Sequence, residues 1–116
     1  MSVNSEIIKR LKTGSIKNVL LFGDSFDKQE VPYVVVRPIA SGDRKLYQII
    51  VHMNLGLQDP LEKYLLNELS ELLKEPLQIE SNIITIRSTG AWLGPNVDEF
   101  DDTLVMSRDF FVPMII

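Results

Sequence analysis

Ser25 is the first residue in the chain placed to do chemistry. It closes Val19-Leu20-Leu21-Phe22-Gly23-Asp24-Ser25, a short apolar run that delivers a Gly-Asp-Ser turn. A serine at such a place attacks an ester carbonyl when a base takes its proton and fixed donors hold the oxyanion. The chain offers one histidine, His52, in the middle of an alternating apolar and polar run. As a metal ligand His52 lacks any neighbour at ligand spacing, and it reads as a sheet histidine on a polar face or at an interface. Asp98, Glu99, Asp101 and Asp102 gather enough charge to attract a divalent cation. Their spacing lacks the Gly at the sixth and the Glu at the twelfth position of a calcium loop, so they read as a solvated acidic loop. Gly42, within Ser41-Gly42-Asp43-Arg44, is followed by neither Gly-Lys-Ser/Thr nor a helix, and reads as a hairpin tip instead of a phosphate loop.

The Gly23-Asp24-Ser25 block resembles the nucleophile block of the GDSL (SGNH) hydrolases. That resemblance implies two further blocks, an Asp-x-x-His near the end of the chain and a Gly-x-Asn-Asp for the oxyanion. His52 has no Asp three residues before it, and Gly94-Pro95-Asn96-Val97 carries a valine where the acid belongs. No set of catalytic, cofactor-binding or metal-binding residues is supported, and the expectation is a protein that is not an enzyme and uses no cofactor.

The elements that would position any site centre on residues 32 to 75. Tyr33 to Ile39 is β-branched and aromatic. Tyr47 to Leu55 alternates, with Tyr47, Ile49, Val51, Met53 and Leu55 on one face and Gln48, Ile50, His52 and Asn54 on the other. Ala40 to Lys45 between them is turn chemistry, which predicts an antiparallel hairpin. Asp59 as N-cap, Pro60 at the first helical position and Glu62 closing a capping box start a helix. Leu61, Leu65, Leu69, Leu72 and Leu73 give it an apolar stripe to lay on the hairpin, and Pro76 stops it. Before this unit, Val3, Ile7, Ile8 and Leu11 predict a short amphipathic helix ending near Gly14, and Asn18 to Phe22 a short strand. Asp24 to Glu30 reads as a polar loop. After it, Leu77 to Ser88 predicts a strand or small hairpin about Ser81-Asn82, residues 89 to 102 an exposed loop, and Thr103 to about Val112 a final strand. The fold class is α+β: one domain over 1–116, an antiparallel-rich sheet packed by one long helix and a short N-terminal helix in the order α-β-β-β-α-β-β.

Composition narrows the function. A chain of 116 residues, 45% hydrophobic, supports one core. The net charge of -4 and pI near 4.9 oppose a protein that grips nucleic acid phosphates. The absence of cysteine excludes disulfides and thiolate zinc sites. With no apolar run of about 18 residues and a polar, charged beginning, the chain is expected to be made in the cytoplasm without a membrane span. Phe110, Phe111, Val112, Met114, Ile115 and Ile116 make the C-terminus unusually apolar. They fill either this domain's own core or a contact between subunits, and with Tyr33, Trp92 and Phe100 they favour assembly.

The order of these pieces resembles the tail-terminator (tail-completion, head-tail joining) proteins of long-tailed bacteriophages. The residues carrying the resemblance are the short N-terminal helix, the Pro32-Tyr33-Val34-Val35-Val36-Arg37-Pro38-Ile39 strand, and the Tyr47 to Leu55 strand leading into the Pro60 to Lys74 helix. To these add the Gly90-Ala91-Trp92-Leu93-Gly94-Pro95 segment and the closing Arg108-Asp109-Phe110-Phe111-Val112-Pro113 strand. The resemblance implies a structural virion protein of the tail or neck, assembled in the host cytoplasm. It implies a ring, typically a hexamer, that caps the tail tube, meets a head-completion or connector protein and lets DNA pass unread through its lumen. Under it, Trp92, Phe110, Phe111, Val112, Met114 and Ile115 are expected at subunit or tail-tube contacts, and Asp43, Arg44 and Lys45 at a lumen-facing or ring-facing hairpin tip. The alternative is a small cytoplasmic α+β binding or adaptor module acting as a dimer.

Overall fold

A computed structural model describes residues 3–23, 30–41, 44–56, 59–99 and 102–113. Its elements are α1 (Val3–Leu11), β1 (Val19–Leu21), β2 (Tyr33–Ser41), β3 (Arg44–Asn54), α2 (Asp59–Lys74), β4 (Leu77–Ile79), β5 (Asn82–Ile84), β6 (Arg87–Asp98) and β7 (Thr103–Pro113). The fold is α+β, with a five-stranded sheet in the order β1-β2-β3-β7-β6 and a separate ribbon of β4 and β5. Only β1 and β2 run parallel; the other pairs are antiparallel. No helix among the described residues is long and apolar enough to cross a membrane.

Alternation along β2 and β3 sorts side chains to two faces. Val34 pairs with Val51 and Val36 with Ile49, so these four share a face with Tyr47 and Met53, and all six are buried. Against that face lie Leu65, Leu66, Leu69 and Leu73 of α2 and Ile7 and Leu11 of α1, forming one continuous core with Met106, Phe110 and Val112 of β7. Burying such side chains is worth roughly 1.5 to 3 kcal/mol each, which is why a nine-residue α1 that would not persist alone is held here. The Tyr47 hydroxyl donates to Asn4 Oδ1 of α1, and burial pushes its pKa up. Ser15 fixes the chain after α1 by donating its backbone N–H to Glu68 Oε1 and its hydroxyl to Oε2 at 2.8 Å.

The hairpin is tighter than its sequence predicts. Pairing continues to Ser41 and Arg44, and Gly42 and Asp43 lie outside the described residues. The turn of the small ribbon is Glu80 and Ser81, with Glu80 at φ 56° and Asn82 already in β5. The larger difference is β6. Residues 89 to 98, expected as exposed loop, form most of an edge strand of twelve residues paired to β7. Its Gly90, Gly94 and Pro95 are turn formers in isolation, but an edge strand is paired on one side only and tolerates proline, and register shifts between Thr89 and Leu93 and between Leu93 and Asn96 absorb the glycines. Gly94 is required: its φ is +120° and a Cβ there would lie 2.7 Å from the Val105 carbonyl oxygen. The capping box drawn from Asp59 and Glu62 concerns side chains outside the described set.

Candidate functional site

Among the described residues the sequence candidates for chemistry do not converge. Ser25 lies outside the described residues; Gly23 before it has φ +97°. His52 is 9% exposed, stacked on Tyr33 with ring centroids 4.4 Å apart and planes 8° apart, and its Nδ1 is 3.0 Å from Thr103 Oγ1. Those contacts join β2, β3 and β7, so the imidazole is built into the sheet. Among the described residues no group of three or more His, Asp or Glu could hold a metal ion, and Asp101 lies outside them.

The residues expected at interfaces divide between the two faces of the sheet. Phe110, at 2% exposure, and Val112, at 1%, lie in the subunit's own core. This corrects their placement on a contact surface: pairing of Tyr47 with Phe110 and of Lys45 with Val112 puts both on the helix-covered face. Phe111, paired with Leu46, is on the opposite face and half-buried. Met114 and Ile115 lie outside the described residues, as does Asp43. Arg44 and Lys45 begin β3, with side chains that are likewise outside the described set.

Trp92 is half-buried and packs against the core. Its ring meets Phe110 edge-on at 6.3 Å and 66°, and its Nε1–H donates to Ser70 Oγ on α2 at 3.0 Å. The same hydroxyl oxygen accepts from Arg108 NH1 at 3.2 Å, while Arg108 NH2 donates to Ser88 Oγ at 3.2 Å and to the Gly90 carbonyl at 2.8 Å. Trp92 therefore latches β6 to α2. The sequence places Trp92 in a loop and Arg108 only in the closing strand, with no role for its side chain, because nothing in Arg108-Asp109-Phe110 announces which face the guanidinium takes.

Exposed large apolar side chains lie on the small ribbon (Ile83), on α2 (Tyr64), after β3 (Leu55) and on both rims of the sheet. β6 presents Leu93 at 66% and Val97 at 60% exposure, and Leu93 pairs with Ser107 while Val97 pairs with Leu104, on opposite faces. At the far end, β1 is a three-residue strand extended by bonds from Val34 N to the Asn18 carbonyl and from Phe22 N to the Val36 carbonyl. Phe22 is exposed there beneath the Arg37 guanidinium, 4.8 Å from the ring centroid. The two rims thus differ in length, direction of pairing and side chains.

No protein-family model matches this chain, and no curated protein matches it. One solved chain is similar in fold, with a TM-score of 0.61 at 19% identity over 98% of this chain and 95% of its own length. At that identity the likeness bears on architecture alone, and it extends over nearly the whole domain.

Proposed function

We propose that this chain is a structural subunit of a long-tailed phage, a tail terminator or neck component. In this reading it assembles into a ring, a hexamer by family resemblance, that caps the tail tube, meets the head-completion or connector protein and passes DNA through its lumen. The observation that carries the reading is the pair of unlike rims, β1 with Phe22 at one end of the sheet and the long bulged β6 with Leu93 and Val97 at the other. Head-to-tail rings require two different surfaces on one subunit that complement each other, whereas a two-fold dimer uses one surface twice. An acidic subunit also suits a lumen, since a net charge of -4 lets a polyanion slide without sticking.

The test is the mass of the purified protein by size exclusion with light scattering, followed by negative-stain imaging of the peak, alone and with a tail-tube protein. Closed rings with a central hole support the proposal. A compact dimer that ignores tail tubes would replace it with the adaptor module.

A further inference from the structure

Where α2 crosses the β6 and β7 end of the sheet, a cavity of about 190 Å³ opens. Leu73, Ile86 and Phe110 make its apolar walls, and its polar lining comprises Asn67, Ser70, Glu71, Lys74, Ser88 and Arg108. Arg108 carries a positive charge on the cavity wall, with its guanidinium 5.6 Å from the Phe110 ring centroid. It holds three neutral acceptors, the Ser70 and Ser88 hydroxyls and the Gly90 carbonyl, and its Nε is buried with no hydrogen-bond partner. No ion pair joins it to a carboxylate among the described residues. A guanidinium carries five N–H donors, of which three here meet neutral acceptors and the buried Nε–H is closed to a ligand, so an anion entering the cavity gains a charge-assisted bond from the spare N–H of NH1. Glu71, also at the cavity, is neutralised by Lys74 at 2.7 Å on the exposed mouth, so the local balance stays positive.

Size and lining select the anion. Pockets for drug-sized ligands begin near about 300 Å³, so this one suits a short group. Three apolar walls beside a guanidinium and two hydroxyls match a carboxylate on an aliphatic stem better than a phosphate, which has no apolar part. We propose that the cavity is a carboxylate-binding site, with Arg108 as the charged anchor and Ser70 and Ser88 as hydroxyl partners. The carboxylate belongs to a short aliphatic acid or to a glutamate side chain of a second copy of this chain. The site does not depend on ring formation.

The sole tryptophan reports on the site directly, because the Trp92 indole N–H and Arg108 share Ser70 Oγ. The experiment follows the Trp92 indole resonance of ¹⁵N-labelled protein during titration with glutarate at constant ionic strength. A saturable shift with a Kd on the order of 1 mM is expected. Arg108→Gln, with its fold checked by circular dichroism, should weaken binding by about tenfold or more. Should that variant not fold, Ser88→Ala carries the test and should weaken binding several-fold. A shift that appears without added acid as protein concentration rises, and that glutarate competes away, assigns the carboxylate to a second copy; a concentration-independent spectrum assigns it to a free acid. The absence of a saturable shift in the wild type, an equal shift in the variant, or inorganic phosphate binding as tightly as glutarate would each overturn the proposal.

Discussion

Arg10 is a half-buried residue whose removal should destabilise the fold measurably. An α-helix leaves its last carbonyls without partners, and Leu72 loses its own because the residue four positions on, Pro76, has no N–H. Arg10, in the last turn of α1, supplies the donors: NH1 to the Leu72 carbonyl at 3.1 Å and to that of Glu75 at 3.0 Å, and NH2 to that of Pro76 at 3.0 Å. Its charge also opposes the negative end of the α2 dipole. Arg10→Met keeps most of the aliphatic stem and deletes the guanidinium. The Leu72 bond is part-buried and contributes most, whereas water replaces much of the two exposed bonds, so the expected loss is about 2 kcal/mol. For a domain of this size that lowers Tm by roughly 8 °C. The ion pair to Glu75 spans 3.9 Å and Glu75 is mostly exposed, so Glu75→Gln should cost less than about 0.5 kcal/mol. Urea and thermal unfolding by circular dichroism, at one protein concentration, measure both. An Arg10→Met variant as stable as wild type would refute the capping argument, and a Glu75→Gln loss as large would transfer the effect to the ion pair.

Three further outcomes are expected. Glu68 is held below its ordinary value of 4.5, first by the Ser15 backbone N–H and, more weakly, by the hydroxyls of Ser15 and Tyr64 and the charge of Lys17, with burial opposing. A lowered folded value means stability that is complete above about 4.5 and fades as pH falls through the folded pKa, so wild type should exceed Glu68→Gln by about 0.5 kcal/mol at pH 7 and converge with it in acid, read from urea midpoints across pH. Gly94→Ala should lose roughly 2 kcal/mol in the same assay, since it forces a left-handed φ on alanine and a Cβ against the Val105 carbonyl; an unchanged midpoint would remove the steric account of the β6 bulge. Leu93→Lys should leave Tm within about 2 °C while abolishing any ring seen by light scattering, and rings that survive it would exclude the β6 rim from the contact.

The hairpin and α2 were legible because each rests on local chemistry: alternation in Tyr47 to Met53, a leucine stripe, a proline at either end of the helix. β6 was not, since Gly90, Gly94 and Pro95 argue for a loop until β7 is beside them, and only the paired edge makes a strand of that sequence. The apolar C-terminal segment shows the opposite failure. Its hydrophobicity was plain, but Phe110 and Val112 became core and Phe111 did not because of a register set by β3, fifty to seventy residues earlier in the chain. A one-residue slip would exchange the two faces. Arg108 follows the same rule, facing Ser70 and the cavity only because Ile49 pairs with it.

The topology gives this register its weight. β7 is last in the chain yet sits between β3 and β6, pairing along all eleven residues of β3. Until it arrives, β3 lacks a partner on one side, β6 has none, and the helix-covered core lacks Met106, Phe110 and Val112. Pairing so distant in sequence must overcome loop-closure entropy before it gains contacts, so the sheet is completed by its final segment and not by its first hairpin. That order has a consequence for assembly. The two rims differ in this respect: β1 is paired with β2, whereas β6, with Leu93 and Val97, is held by β7 and by the Trp92 latch to α2. In the proposed ring, a contact through the β6 rim would therefore require β7 to be in place first.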